Sequence, residues 1–508
     1  MIKNVLEYFE NSVSLTPEKI AVVDGSRSIT FKQLNSISKS LAYYISRFIN
    51  DVNKPVAVFL PKSIEGVIAD ISITYSSNIY MNLDIKSPDA RIKNILDLIK
   101  PVVIITNTPN INKVRSIASD SIIVNIDEAG EVSPFPEGSL FKKLKKQIDT
   151  DPYCIINTSG STGTPKGVVL NHRSFIDFME WAIEELKIGE NEIIGSLSPA
   201  VFDIYSFELC MLMRMGSTMV ILPDTQAAFP ANLLSLMQEK QITFIFWVPT
   251  IMVNIANMDL LSKIPLPTLK TVWFAGEVFP TKQFNYWKKN LPEVKFVNLY
   301  GPIEITLDCT YFIVDREIRD DEPIPIGFAC RNTDILILNE LNKPVGINED
   351  GELCVRGSSL AMGYYNNPEK TNAAFVQNPL NDSYPEIIYR TGDHVYINDS
   401  GEIIFKGRRD TMIKHLGYRI ELGEIEHVII NTLQLVENGC IVYDFKKKEI
   451  ILYYEAKTDL PIAEMRKSVS LILPKYMIPN SFIRMDKLPV NTNGKIDRLQ
   501  LTNIVNPK

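Results

Sequence analysis

No run of about 18 consecutive apolar residues occurs in this chain, which excludes an expected membrane-spanning helix. Glu7 and Glu10 sit where a secretory signal would be apolar, so a cytoplasmic protein is expected. A long basic block is missing too. Lys and Arg number 53 against 60 Asp and Glu, a formal charge of −7, so nucleic acid is not an expected partner. The six cysteines, at 154, 210, 309, 330, 354 and 440, form no CxxC pair and mostly lie inside apolar runs. They read as reduced core thiols and not as a disulfide framework. The densest basic run, Lys446-Lys447-Lys448, falls between strand-like Ile441-Val442-Tyr443 and Ile450-Ile451-Leu452-Tyr453-Tyr454, and reads as a solvated hairpin turn.

What the chain does contain is a loop rich in hydroxyls and glycine, Thr158-Ser159-Gly160-Ser161-Thr162-Gly163-Thr164-Pro165-Lys166-Gly167. Backbone N–H groups and Ser/Thr side chains in such a loop can wrap phosphate oxygens closely. It is not a Walker sequence, because Pro165 replaces the second glycine and Gly167 follows Lys166 in place of a magnesium-binding hydroxyl. Its flanks read as short strands, Tyr153–Ile156 and Val168–Leu170. From Ser174, a candidate N-cap, Phe175, Phe178, Ala182 and Leu186 then recur at helical spacing.

At 508 residues the length prior is roughly three domain-sized units, and 45% hydrophobic residues can fill sizeable cores. Strand-like stretches Ile242 to Val248, Leu269 to Phe274 and Val294 to Tyr300 alternate with helix-like ones around Ile251 to Leu261 and Pro280 to Leu291. That alternation predicts a largely parallel sheet with ligands at its carboxyl ends, near which Phe246, Trp273 and Leu299 would fall. Alone, those three read first as sheet core.

The loop Thr158 to Gly167 resembles the signature loop of the adenylate-forming superfamily, which includes acyl-CoA synthetases, luciferases and the amino-acid adenylation domains of nonribosomal peptide synthetases. Further motifs of that superfamily follow in order. Ile29-Thr30-Phe31-Lys32-Gln33-Leu34 comes early and Asn298-Leu299-Tyr300-Gly301-Pro302-Ile303-Glu304 in the middle. Tyr389-Arg390-Thr391-Gly392-Asp393, Gly407-Arg408-Arg409-Asp410 and Gly417 to Glu426 come later, and Leu473 to Pro479 leads to Asn493-Gly494-Lys495. The resemblance covers nearly the whole chain. It implies an α/β fold: a large N-terminal domain, residues 1–409, with mostly parallel sheets and helices, and a small mobile α+β C-terminal domain, 410–508, hinged at Asp410.

The resemblance also implies roles. Thr158, Ser159, Gly160, Ser161, Thr162, Gly163 and Lys166 would cradle the phosphates of ATP. Gly276, Glu277, Asn298, Leu299, Tyr300, Gly301, Pro302 and Ile303 would line the nucleotide, and Asp393 would accept the ribose hydroxyls with Arg408 nearby. Glu304 would help hold Mg²⁺, and Lys495 would bridge the substrate carboxylate and the nucleotide as the catalytic cation. In the amino-acid-activating branch the residue matching Asp203 is the counter-ion of the substrate ammonium. Its other reading is a helix-start aspartate satisfying backbone N–H groups. The side-chain pocket would be Ile204, Phe207, Phe246, Trp273, Ala275, Leu299, Leu307 and Asp308. Its bulky members predict a small amino acid, glycine or alanine of either hand.

Phe274-Ala275-Gly276-Glu277-Val278 also resembles stand-alone D-alanine:carrier-protein ligases, which have cysteine at the Ala275 position and usually a small residue at the Asp308 position. An acidic wall at Asp308 suits a substrate with a second amino group. Only ten residues follow Arg498, so a phosphopantetheine thiol is expected from a separate carrier protein. Two departures stand out. Ile303 replaces a usual threonine, at an expected cost of about 1 to 3 kcal/mol in transition-state stabilisation, and Asn78 to Leu83 lacks the usual glycine and proline. The alternatives are a CoA ligase for a small carboxylic acid, against which Asp203 speaks, and a catalytically degenerate nucleotide-binding partner protein, for which Ile303 speaks.

Overall fold

The computed structural model describes residues 2–118, 120–128, 137–159, 165–408, 412–436, 438–456, 461–490 and 496–507. Contacts divide the chain into two units: Met1–Asp84, Lys100–Ile156 and Val168–Arg409 form the first, and Ile85–Ile99, Asn157–Gly167 and Asp410–Lys508 the second.

In the first unit the strand and helix alternation read from the sequence is present. Strands Phe244–Trp247, Thr271–Phe274 and Lys295–Tyr300 pair in parallel, and helices Pro249–Asn257 and Thr281–Asn290 cross between them. Parallel neighbours need such crossovers, because a tight turn only joins antiparallel strands. The run Phe-Ile-Phe-Trp is buried throughout, as expected where helices cover both faces of a sheet. The first crossover helix starts at Pro249, ahead of the expected Ile251, because proline lacks only an N–H that the first turn would leave unbonded. It also stops at Asn257, short of Leu261, and Asp259 then turns left-handed with φ 49°.

The same sheet continues in parallel through Ile193–Ser196, Thr218–Ile221 and Ile20–Asp24. Antiparallel edge strands bring it to nine. A seven-stranded sheet has a parallel half of Ile79–Asn82, Pro55–Phe59, Val103–Thr106 and, at its edge, Ile122–Asn125. A smaller antiparallel sheet carries Ile387–Ile397 beside Ile403–Arg408.

Two sequence motifs explain themselves as helix starts. Thr30 caps the helix Phe31–Ser46: its hydroxyl accepts the Gln33 N–H at 3.2 Å while the Gln33 carboxamide accepts the Thr30 N–H at 3.0 Å. The helix expected from Ser174 instead begins at His172, because Asn171 takes the capping position. Its side-chain oxygen accepts the Ser174 N–H at 2.9 Å and the Ser174 hydroxyl at 2.8 Å. Asn and Ser cap about equally well, so local sequence does not choose between them.

The second unit carries the expected hairpin, strands Asn438–Asp444 and Glu449–Glu455, with Asp444 Oδ1 accepting the N–H groups of Lys446 and Lys447 at 3.0 and 2.9 Å. Strand Ser481–Arg484 adds in parallel. Ile420, Ile425, Leu452, Met465, Val469 and Met477 fill its core. A second hairpin, Met412–His415 with Tyr418–Glu421, turns on Leu416 and Gly417, both left-handed at φ 53° and 82°, the geometry a two-residue turn between twisted strands requires.

Among the described residues no helix is long and apolar enough to cross a membrane. All six cysteines are unpaired and buried, and burial pushes the Cys210, Cys354 and Cys440 thiols up to about 12. Thiol titration of the native chain with an aromatic disulfide at pH 8 is therefore expected to show no fast-reacting thiol, with all six reacting on unfolding. Rapid reaction of even one would contradict this packing.

Candidate functional site

Strand Ile193–Ser196 delivers a short loop at the carboxyl edge of the parallel sheet, where open α/β sheets bind ligands. Helix Asp203–Met215 opens on Asp203 itself. Phe202 provides no side-chain cap, and Asp203 Oδ1 accepts the Ile204 N–H at 3.0 Å. The carboxylate thus sits at the positive end of the helix. It does what the helix-start reading anticipates, yet it is only half-buried, while Ile204 through Met213 are buried.

Three of the predicted pocket residues, Phe207, Phe246 and Trp273, pack against one another. The Phe207 ring lies 5.1 Å from Trp273 and 5.7 Å from Phe246, and Phe246 lies 5.7 Å from Trp273. Ile204, Ala275, Leu299 and Leu307 belong to the same buried cluster. These aromatics are fully buried and fill the core beside the sheet's carboxyl edge. Trp273 Nε1 is buried without a hydrogen-bond partner among the described residues. Asp308 is 3% exposed.

The segment after strand Lys295–Tyr300 is tightly constrained. A side chain on Gly301 would bring its Cβ 2.2 Å from the Leu307 carbonyl oxygen, so only glycine fits. Thr306 and Leu307 are both left-handed, at φ 52° and 64°, a strained pair for residues with side chains. Gly301→Ala is expected to cost at least about 2 kcal/mol in denaturant unfolding; an unchanged midpoint would refute the close approach.

Around the predicted nucleotide residues, Tyr300 and Arg408 both engage Asp393. The Tyr300 hydroxyl donates to Asp393 Oδ2, and Arg408 Nη1 to Oδ1 at 2.5 Å. Arg408 also donates to the Thr391 carbonyl at 2.8 Å. Burial, then the charge of Asp393, raises the Tyr300 hydroxyl well above its ordinary range. The Asn298 amide donates to the Pro325 carbonyl at 2.7 Å. Glu277 Oε2 accepts the Thr250 N–H at 3.0 Å, capping the helix that starts at Pro249. Gly276 is left-handed at φ 89°, and Pro302 precedes the single turn Ile303–Ile305. Ile303 packs half-buried against the main core.

Glu304 is fully buried and accepts the Tyr364 hydroxyl at 2.8 Å. No group of three potential metal ligands exists among the described residues. A single carboxylate fits Mg²⁺ when phosphate oxygens and water complete its shell, so the donor set suits a nucleotide-borne ion and not a protein cage.

In the second unit, Asn157 and Thr158 end strand Pro152–Thr158 with buried side-chain polar atoms that find no partner among the described residues. Orphaned donors at the mouth of a hydroxyl-rich loop suit phosphate oxygens. Ser159 is engaged instead: its hydroxyl donates to the Arg419 carbonyl at 2.7 Å and accepts the Glu421 N–H at 3.1 Å. Lys166 Nζ stands 4.0 Å from Glu421. Gly160, Ser161, Thr162, Gly163, Asp410 and Lys495 lie outside the described residues.

Sequence reasoning passed over the groups that underlie the helix Asp203–Met215. Asp70 Oδ2 accepts the Tyr205 hydroxyl at 2.7 Å and the Asn82 amide at 3.1 Å, while Oδ1 has no partner among the described residues. The available signal was a single charged residue in the otherwise uncharged run Val67–Tyr75. Burial pushes Asp70 up to about 7 and drives His172 down to about 3. A raised folded value means the native chain holds the Asp70 proton where the unfolded chain has lost it. Stability from Asp70 is therefore full below its ordinary value near 4 and is lost as pH rises toward 7. His172 works oppositely, destabilising as pH falls below its ordinary 6.5. Because both chains share His172, urea unfolding of Asp70→Asn against the native chain isolates Asp70. The variant is expected to gain on the order of 2 kcal/mol, relative to the native chain, between pH 5 and pH 8. A pH-independent difference would contradict a retained proton.

A profile of the AMP-binding enzyme family matches residues 9–365. The chain belongs to that family, whose members form acyl adenylates. Gramicidin S synthase 2 of Brevibacillus brevis is 33% identical over 503 residues, 98% of this chain but 11% of that protein. The chain thus spans about a tenth of the length of that relative. Zwittermicin A synthase ZmaJ of Bacillus cereus is 29% identical over 501 residues, 97% of this chain and 94% of that one. In structure, the chain is similar to the Vibrio cholerae adenylation domain AlmE in complex with glycyl-adenosine-5'-phosphate. The TM-score is 0.85 at 19% identity, covering 100% of this chain and 98% of that chain. At that identity the likeness shows the fold: the two-domain architecture of adenylate-forming enzymes.

Proposed function

We propose that this protein activates a small amino acid, glycine or alanine, as its aminoacyl adenylate and passes the aminoacyl group to the phosphopantetheine thiol of a separate carrier protein. The observation that carries the reading is Asp203: a half-buried carboxylate opening a helix at the sheet's carboxyl edge, next in sequence to Ile204 and close in sequence to Phe207 of the aromatic wall. An ammonium placed there would gain a charge-assisted hydrogen bond, and the crowded wall of Phe207, Phe246 and Trp273 favours a short side chain.

In the first half-reaction a carboxylate oxygen of the amino acid attacks the α-phosphorus of ATP, and pyrophosphate leaves. Such displacements need alignment and charge neutralisation more than covalent help. Thr158 and its loop would hold phosphate oxygens, and Asp393, with Arg408, would take the ribose hydroxyls. Mg²⁺, held by Glu304, would neutralise phosphate charge. Lys495 would stabilise the negative charge developing between carboxylate and nucleotide. In the second half-reaction a thiolate sulfur attacks the acyl carbonyl carbon, the thioester forms and AMP leaves. Residues 410–508 would act as the mobile domain, hinged at Asp410, that withdraws Lys495 between the two steps.

Asp308 favours a second reading. Asp308 is 3% exposed and next in sequence to Leu307, and an acidic residue in the side-chain pocket would suit a substrate with a second amino group, a diamino acid. Exchange of labelled pyrophosphate into ATP, run across amino acids, diamino acids and their deaminated counterparts, separates the readings. Glycine or alanine is expected to support the fastest exchange, and deaminated acids none. Asp203→Ala is expected to lower kcat/KM for the best amino acid about 30-fold or more. Exchange restricted to plain carboxylic acids would favour a CoA ligase, and no exchange with any acid would favour a nucleotide-binding protein without turnover.

A further inference from the structure

Beneath the turn that Asp203 opens lies a charged pair that the adenylation chemistry does not use. Lys62 follows the buried strand Pro55–Phe59 and precedes the largely buried helix Ile64–Tyr75. Its side chain is 5% exposed. Its ammonium donates to the Ser198 carbonyl at 2.6 Å and stands 3.7 Å from Glu208 Oε2 and 5.6 Å from the centre of the Tyr205 ring. Glu208 is fully buried and accepts the Ser196 hydroxyl on Oε2, while Oε1 has no partner among the described residues.

These contacts share one geometry. Ser196 ends the strand, Ser198 lies in the loop that follows, Asp203 opens the helix and Glu208 sits on its second turn. Lys62 therefore ties the loop on one side of Asp203 to the helix on the other. The same turn is pinned twice more, by Tyr205 to Asp70 at 2.7 Å and by the Tyr80 hydroxyl donating to Ser206 at 2.8 Å. A half-buried carboxylate between two loosely held segments would move; here both are fastened.

We infer that Lys62 is a positioning residue for amino-acid recognition: by bracing Ser198 against Glu208 it fixes the backbone that aims Asp203 at the substrate ammonium. This rests on the reading of Asp203 as the ammonium counter-ion. A helix brace with no part in recognition would affect folding alone, whereas a brace of Asp203 affects the binding of one substrate and spares the other.

The test is pyrophosphate exchange by the full chain with its best amino acid, comparing Lys62→Met, Lys62→Arg, Asp203→Ala and the Lys62→Met, Asp203→Ala double variant. Lys62→Met is expected to raise KM for the amino acid about tenfold, with kcat lowered less than about threefold and KM for ATP within about twofold. Lys62→Arg, whose guanidinium can reach both the carbonyl and the carboxylate, is expected to restore KM to within about threefold. In the Asp203→Ala background, removal of Lys62 is expected to add less than about twofold, because the group it aims is gone. If Asp203→Ala raises KM while Lys62→Met changes only kcat or melting temperature, the brace is overturned and the ammonium reading stands. If Asp203→Ala leaves KM unchanged, the ammonium reading fails and the brace falls with it. Should Lys62→Met not fold, Glu208→Gln reads the same quantity: a rise of at least about threefold in amino-acid KM supports the brace, and an unchanged KM refutes it.

Discussion

A carboxylate taken out of water must be answered by a positive charge, by donors or by a proton, and the first unit solves that problem differently at each acid. Glu208 is met by Lys62 and Ser196, yet burial still pushes it up to about 7. Asp70, with no cation paired to it among the described residues, is likewise pushed up to about 7 and holds its proton toward neutrality. Asp393 is met by Arg408 and Tyr300, and Glu304 by Tyr364. Asp203 alone of these five stays half-buried, at the positive end of a helix that Lys62, through Glu208, and Asp70, through Tyr205, hold in place. The acid left partly open is the one the proposed chemistry needs for an incoming ammonium.

The parallel sheet makes this arrangement possible. Its crossovers return every strand in the same direction, so the ends of Ile193–Ser196, Phe244–Trp247, Thr271–Phe274 and Lys295–Tyr300 come out on one edge. Short residues at such an edge admit close backbone approach: Gly301 runs against the Leu307 carbonyl, where no side chain fits. The left-handed Thr306 and Leu307 then turn Leu307 and Asp308 back toward the strand they left, as the pairing of Tyr300 with Thr310 records. Strain of this kind persists where surrounding packing over-determines the backbone.

Much of this was legible in the chain. The strand and helix alternation from 242 to 300 announced itself by periodicity, and the family itself was recognisable because its motifs stand in order. The Lys446–Lys448 turn followed from two apolar runs with a charged break. What escaped was chosen by contacts distant in sequence. Asn171 and Ser174 are equivalent caps until the helix has a place to start. Lys62 and Glu208 are 146 positions apart, 208 minus 62, and nothing local announces that they meet. Asp70 drew no reading from the sequence, and only its burial beside Tyr205 shows what it does.

The central claim is that the carboxylate of Asp203 recognises an amine on the activated acid. Calorimetric binding of a non-hydrolysable sulfamoyl analogue of glycyl adenylate, compared with the analogue in which hydrogen replaces the amine, tests it most directly. The account predicts about 30-fold or greater preference for the amine-bearing analogue, collapsing toward equality in Asp203→Ala. Equal affinity of the native chain for both analogues would contradict it.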